Sequence, residues 1–367
     1  MLRCRFYVAV MLLALIGSNL TFLSTKAQSN APESKGTVVV GSTKAPDQVL
    51  LGQILIGLLK EAGYTITDKT ALGDAVTVHA ALTGGQVDLA WEESSTALTL
   101  YHKLSAKALP IKAEQNYALA QSLEAEQGLV WLKPSKINNR QALLVRQDLA
   151  DKGVKSLTDL AGYLKTNPVL KLCATASLAT ADARKELETL YRFMLKQENV
   201  VALDQAKIPP ALQNGQCDIA IESATTGWIP TGPFSVLDDP LTYFPLNIPA
   251  PVIRQAFADQ HPELAELVGR LSEQLDTVAM QQLNARITLG ADGKVASGDE
   301  ETPQDVAYGF LRSKRLVKAP KLTVVSTNAT EQLLLGKMVV LMLQSAEYEV
   351  ADLTGRGGVQ TLRRALE

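Results

Sequence analysis

Val38-Val39-Val40-Gly41-Ser42-Thr43, followed by Pro46 and by Leu51, Leu55, Leu58, Leu59 and Ala62, is the stretch on which the fold turns. The apolar run ending in Gly41 reads as a strand. Pro46 suits the first turn of a helix, and the leucines recur at three and four residues, giving it one apolar face. Gly63 closes that helix and Tyr64 to Asp68 reads as the next strand. Further out, a helix over Val76 to Thr83 is closed by Gly84-Gly85, and Val87 to Trp91 reads as a third strand. The cycle returns as a strand at Leu170 to Ala174, a helix over Thr180 to Lys196, a strand at Val200 to Leu203, a helix near Pro210 to Asn214 and a strand at Asp218 to Ile221. Repeated βαβ units with short links predict an α/β protein of two lobes, each a parallel-type sheet flanked by helices, with a cleft between them. Ser156 and Asp159 have the spacing of a capping box for a helix through Leu164. His261-Pro262-Glu263 opens another, with Leu264, Leu267 and Leu271 at helical spacing.

The opening stretch occurs twice. Val38 to Leu82 and Leu322 to Leu366 align without a gap at an offset of 284 residues, with about a third of the positions identical. Ser42-Thr43 matches Ser326-Thr327, Gln48 matches Gln332, Leu50-Leu51-Gly52 matches Leu334-Leu335-Gly336, Tyr64 matches Tyr348 and Gly73 matches Gly357. That spacing is a domain length, too long for a solenoid repeat. The expectation is one whole unit over 37–316 and the truncated start of a second over 321–367, with an acidic, glycine-rich surface loop from Gly290 to Thr302.

The chain has 367 residues, 46% hydrophobic and 20% charged, with a formal net charge of -2. This excludes a disordered chain and a generally basic nucleic-acid binder, so no nucleic-acid partner is expected. Arg3 and Arg5 precede an unbroken apolar run from Phe6 to Ile16, and Thr25-Lys26-Ala27 offers a small-residue cleavage site. Residues 1–27 therefore read as a secretory signal and 28–36 as a linker; the run is short of the roughly 20 residues a bilayer span needs, an uncleaved anchor being the alternative. Cys4 lies ahead of the apolar run, where it is not a lipidation site. Cys173 and Cys217 both read as strand residues. On parallel neighbours, three residues of offset at about 3.3 Å each exceed what a disulfide spans, so two buried thiols are expected.

No Walker loop, zinc-binding His pair, CxxC or GxSxG occurs. With 3 His in the chain, all in helical settings, and with Glu92 and Glu93 on opposite faces of a strand, no catalytic residue, metal or cofactor is expected, and the reading is a non-enzyme. In open α/β sheets ligands sit beyond the carboxyl ends of strands. Those positions hold Ser42-Thr43, Glu92-Glu93-Ser94-Ser95-Thr96, Thr175-Ala176-Ser177 and Glu222-Ser223-Ala224-Thr225-Thr226, four polar clusters facing one cleft.

These stretches resemble the substrate-binding proteins of ABC importers for glycine betaine, carnitine and choline. Gly41-Ser42-Thr43 through Gln48, Leu51-Gly52 and Gly63-Tyr64 is similar to that family's opening strand and helix. Val87-Asp88-Leu89 with Glu92 is similar to its acidic third strand. Trp131-Leu132-Lys133-Pro134 with Asn138-Asn139 resembles the first crossing between lobes, and Phe244-Pro245 with Ala250-Pro251-Val252 and Arg254 the return. The resemblance implies a two-lobed periplasmic-binding-protein fold of type II, the Venus flytrap, with lobe one over 37–136 and 245–316 and lobe two over 137–244. It also implies an exported protein that closes around a small polar or quaternary-ammonium solute and delivers it to ABC permease subunits in the membrane. A ligand-sensing receptor domain on the same fold is the alternative.

The sequence departs from the family's pattern where quaternary ammonium groups are held by aromatic rings. The tyrosine positions fall at Glu93, Gln141, Ser223 and Asn247, all polar. Cation–π contacts contribute about 0.5–2 kcal/mol each, so these replacements favour a ligand with several hydrogen-bond donors unless Trp91, Trp228 or Tyr243 rebuilds a cage. The ligand-binding candidates are Ser42, Thr43, Gln48, Glu93, Thr96, Gln141, Ser223, Thr225 and Asn247.

Overall fold

The computed structural model describes residues 34–287, 302–318, 321–345 and 348–355. The signal expected over 1–27, most of the linker, and all of the acidic loop but Thr302 lie outside the described residues.

The first lobe runs β1 (Thr37–Thr43), α1 (Pro46–Glu61), β2 (Thr65–Gly73), α2 (Ala75–Thr83), β3 (Leu89–Glu93), α3 (Ser94–Thr96), α4 (Ala113–Ala125) and β4 (Leu129–Trp131). The chain then crosses into β5 (Gln141–Arg146), α5 (Gln147–Asp151), α6 (Leu157–Thr166), β6 (Leu172–Ala174), α7 (Ala181–Tyr191), β7 (Val200–Ala202), α8 (Ile208–Gln213), β8 (Ile219–Ser223) and β9 (Phe234–Val236). It returns as β10 (Pro249–Arg254), α9 (Gln255–Ala258), α10 (Glu263–Glu273), α11 (Thr277–Arg286) and α12 (Pro303–Ser313). The tail adds β11 (Lys321–Val325), α13 (Thr330–Ser345) and β12 (Glu349–Leu353).

The two main sheets have strand orders β2-β1-β3-β10-β4 and β7-β6-β8-β5-β9. Both are mixed, which corrects the expectation of parallel-type sheets. β10 runs antiparallel to β3 and β4, and β5 antiparallel to β8 and β9. The reason lies in the crossings. β5 and β10 are the first strands after the chain changes lobe, so each enters its sheet from the cleft side, against the direction of the βα units already there.

α1 is the core helix of lobe one. Pro46 sits in its first turn and Asp47 near its positive end. Leu50, Leu51, Ile54, Leu55, Leu58 and Leu59 are at most 1% exposed, packed between the sheet and α12. A helix apolar on every side belongs inside a protein, and each such leucine contributes about 1.5–3 kcal/mol by burial. Gly52 lets α1 approach the sheet, since a Cβ there would meet Thr70 Cγ2 at 2.7 Å. α6 begins with the predicted capping box, Ser156 and Asp159 serving each other's backbone. α7 is shorter than expected, capped by Thr180 and ended by Arg192 in the left-handed region.

The tail repeats the opening in register. β11 pairs with β12 in parallel, Lys321 opposite Glu349, as β1 pairs with β2, Thr37 opposite Thr65. Ser326 Oγ accepts from Gly355 N at 3.1 Å, as Ser42 Oγ accepts from Ala71 N at 3.0 Å. The helices differ in cover. Leu334, Leu335 and Met338 are 62%, 61% and 57% exposed, where the matching Leu50, Leu51 and Ile54 are buried.

Cys173 and Cys217 form a disulfide, correcting the expectation of free thiols. The parallel register does place Cys173 opposite Ala220. However, β8 starts at Ile219, and Cys217 belongs to the turn leaving α8. Its N–H bonds Ala211 O at 3.2 Å, while Asp218 and Ile219 both bond Lys171 O. The turn folds back toward β6, and the two Cα atoms are 5.7 Å apart. The bridge closes a loop of sequence separation 44, for which the chain-entropy treatment gives about 4 kcal/mol. Replacing both cysteines by serine is expected to cost a few kcal/mol in urea unfolding and to abolish the effect of reductant on the midpoint. A reductant effect that survives in the double variant contradicts this bridge.

Candidate functional site

A cavity of about 1110 Å³ separates the lobes. β3 ends on its lobe-one wall at Glu93, the first turn of α1 adds Asp47 and Gln48, and the crossings supply Asn139 and Asn247. Lobe two contributes Gln141 at the start of β5, Ser223 at the end of β8, and Thr225 just beyond.

Glu93 is the centre of the wall. Its Oε1 accepts from Gln48 Nε2 at 3.0 Å and Asn139 Nδ2 at 2.7 Å, and its Oε2 from Asn247 Nδ2 and from Thr96 Oγ1 at 3.2 Å. Asn139 reaches both lobes. Its Nδ2 also donates to Asp47 Oδ2 at 3.0 Å, and its Oδ1 accepts from Ser223 Oγ at 2.6 Å and Thr225 Oγ1 at 2.7 Å. Asn247 Oδ1 accepts from Ser95 N at 3.1 Å, and Asn138 Oδ1 accepts from Asn247 N at 3.1 Å. The carboxyls of Asp47 and Glu93 are both pushed above the usual carboxylate range. Burial is the larger cause in each; Asp47 adds to the shift at Glu93, and amide donors work against it.

Of the nine candidates, Thr43, Gln48, Glu93, Thr96, Gln141, Ser223, Thr225 and Asn247 line this cavity. Ser42 does not. It is 1% exposed, donates to Thr43 O at 3.0 Å and accepts from Ala71 N, whose residue has a φ of 57°. It braces the β1–β2 connection. The Thr175-Ala176-Ser177 cluster also misses the cleft: Thr175 and Ala176 line a separate lobe-two cavity of about 460 Å³ with Asp204 and Lys207. Asp47 and Asn139 escaped selection on sequence. An acid in a helix's first turn reads as dipole stabilisation, and the paired asparagines read as part of a crossing.

A rebuilt aromatic cage is not what the cavity offers. Tyr243 packs edge-on against Phe244 at 4.9 Å and is not among the lining residues. Trp91 is 2% exposed with its Nε1 on Leu51 O. Tyr101, carried by a π-helical turn at Ala97–Tyr101, stacks on His79 at 3.8 Å and donates to Ala75 O. Trp228 is the half-buried aromatic lining residue of lobe two.

Glu92 turns to the opposite face of β3. There it lies 3.9 Å from His79 Nδ1, which is 3.6 Å from Glu124; Glu124 in turn bonds His102 Nε2 at 2.5 Å. Burial pushes the Glu92 carboxyl up to about 8, opposed by its bond with Tyr101 and reinforced by Glu124 and Glu93. Burial, with a smaller push from His102, takes His79 down to about 4.

Residues 36–312 match the family described as the substrate-binding domain of ABC-type glycine betaine transport systems. The chain belongs to this family. It is 31% identical to the glycine-betaine-binding protein of Pseudomonas aeruginosa over 289 residues, 77% of this chain and 89% of that one. It is 32% identical to the glycine betaine-binding protein YehZ of Escherichia coli over 276 residues, 73% and 90% of the two chains. The solved structure of apo YehZ from E. coli superposes with a TM-score of 0.66 at 30% identity, covering 77% of this chain and 99% of that one. The architecture is the type II periplasmic-binding-protein fold, and the chain is a solute-binding protein of the ABC-importer class.

A folded-state carboxyl raised from its unfolded range to about 8 is protonated where the unfolded chain has released the proton, so its contribution is lost as pH rises through that window. Glu92→Gln is therefore expected to melt close to the parent at pH 5 and to gain on it progressively toward pH 8. A melting difference independent of pH between 5 and 8 rejects a neutral, buried Glu92.

Proposed function

We propose that the protein is an exported receptor that closes its lobes, 37–136 with 245–316 and 137–244, around a small polar solute and hands it to ABC permease subunits. The carrying observation is that polar side chains from both lobes and both crossings meet at one cavity, Glu93, Gln141, Ser223 and Asn247 among them, at positions where the family resemblance implies aromatic rings. A ligand that bridges the lobes binds the closed form better and shifts the population toward it. Extracytoplasmic placement is supported by the family, by the basic-apolar leader, and by the Cys173–Cys217 disulfide, which belongs to an oxidising compartment. Among the described residues no helix is long and apolar enough to cross a membrane.

Residues 321–367 form, on this reading, the opening of a second solute-binding unit. Their support is the shared β1–α1–β2 register and the matching face of α13, which among the described residues lacks the cover that α1 receives from α12.

A thermal-shift screen of the full chain against betaines, amino acids, polyamines and polyols tests the receptor reading. At least one class is expected to raise the melting temperature saturably, by the linkage of binding to folding. No shift with any class at millimolar concentration contradicts it. In the same assay Leu335→Glu is expected to leave the melting of residues 37–316 unchanged, while the matching Leu51→Glu abolishes it. Equal damage from both substitutions refutes a separate second unit.

A further inference from the structure

We infer that the cleft takes a protonated amine carrying N–H groups rather than a quaternary ammonium, and that it seats this cation against the Asp47 and Glu93 carboxylates beside Gln48 Oε1. This rests on the solute-receptor reading and names its substrate class.

The two carboxylates share one amide nitrogen, Asn139 Nδ2, at 3.0 and 2.7 Å, so their oxygens face the same small volume. Neither is in an ion pair with a Lys, Arg or His among the described residues. The groups acting on them are amides, a hydroxyl, backbone N–H and, on Glu93, the Asp47 carboxyl. Both are half-buried, and carboxylates drawn out of water without a cation carry a desolvation cost that a cation arriving with the ligand offsets.

Gln48 is the independent observation. It is 6% exposed and lines the cavity, and its Oε1 has no partner. Its amide orientation is set by the chemistry, because Nε2 donates to Glu93 Oε1 at 3.0 Å and a flipped amide turns oxygen against carboxylate. The group left over is therefore an acceptor waiting for a donor. An unmade bond at a buried acceptor is paid for in full desolvation.

A trimethylammonium group has positive charge but no N–H, so it meets the carboxylates and leaves Gln48 Oε1 unsatisfied. Its methyl groups need ring faces on several sides, whereas Trp91 is sealed in the core and Tyr101 has one face against His79, which leaves Trp228 of lobe two as the half-buried ring of the lining. An ammonium with two or three N–H groups supplies charge to Asp47 and Glu93 and a hydrogen bond to Gln48 together.

The series choline, dimethylethanolamine, methylethanolamine and ethanolamine keeps one skeleton and one charge while the N–H count rises from none to three. Calorimetric titration of the full chain is expected to show affinity rising along it, with ethanolamine at least tenfold tighter than choline. Asp47→Asn is expected to weaken ethanolamine at least tenfold and choline far less, with circular dichroism and melting reporting that the variant is folded. Gln48→Leu, which removes the acceptor but no charge, should flatten the series even if Asp47→Asn fails to fold. Choline binding as tightly as ethanolamine overturns the assignment and leaves the receptor reading intact. Binding by no member of this series, while an uncharged solute from the wider screen does bind, likewise overturns it alone. Silence across both the series and the screen removes the receptor reading as well.

Discussion

Glu93 is the constraint from which the rest of the structure follows. A half-buried carboxylate at the end of a central strand, drawn largely out of water, needs donors on both oxygens, and the polypeptide brings them from four directions: Gln48 from α1, Asn139 from the first crossing, Asn247 from the return, Thr96 from its own following turn. Two of those donors sit on the segments that join the lobes. Satisfying one half-buried charge therefore fixes where both crossings pass, and Asn139 carries the connection into lobe two through Ser223 and Thr225. On the proposed reading, recognition and hinge geometry share the same atoms.

The surrounding architecture makes that sharing possible. Each sheet accepts an antiparallel strand from the crossing chain, β10 in lobe one and β5 in lobe two, paired on both sides, so the crossings are anchored inside the sheets and reach the cleft from rigid ground. β3 supports two chemistries on opposite faces. Glu93 faces the crossings, and Glu92 faces a closed group of His79, Glu124 and His102. The disulfide ties the α8–β8 turn to β6 behind the wall that carries Ser223 and Thr225.

Much of this was legible in the sequence, for physical reasons that differ from residue to residue. α1 announced itself through leucine spacing and Pro46, and α6 through Ser156 and Asp159, because local patterns report local structure. Glu93, Ser223 and Asn247 came from the rule that ligands gather at strand ends, together with the family resemblance. Ser42 satisfied the same rule and still turned inward, since the left-handed Ala71 needs an acceptor for its N–H. Cys217 was misread because a two-residue difference in where β8 begins decides whether the sulfurs meet. The mixed sheets were hidden because strand direction depends on which lobe the chain has just left. Asp47 and Asn139 matter through what they meet across the fold, and a one-dimensional pattern carries no trace of that meeting.

The central claim is that the lobes move as bodies about the Asn139 and Asn247 crossings and trap a solute between them. Val76 and Asp204 lie in lobe one and lobe two, each beside a residue that lines the main cavity, Ala75 or Gln205. With spin labels on Val76→Cys and Asp204→Cys, the pair distance is expected to shorten and narrow when a solute that raises the melting temperature is added. An unchanged distance distribution at saturation contradicts closure and the account built on it.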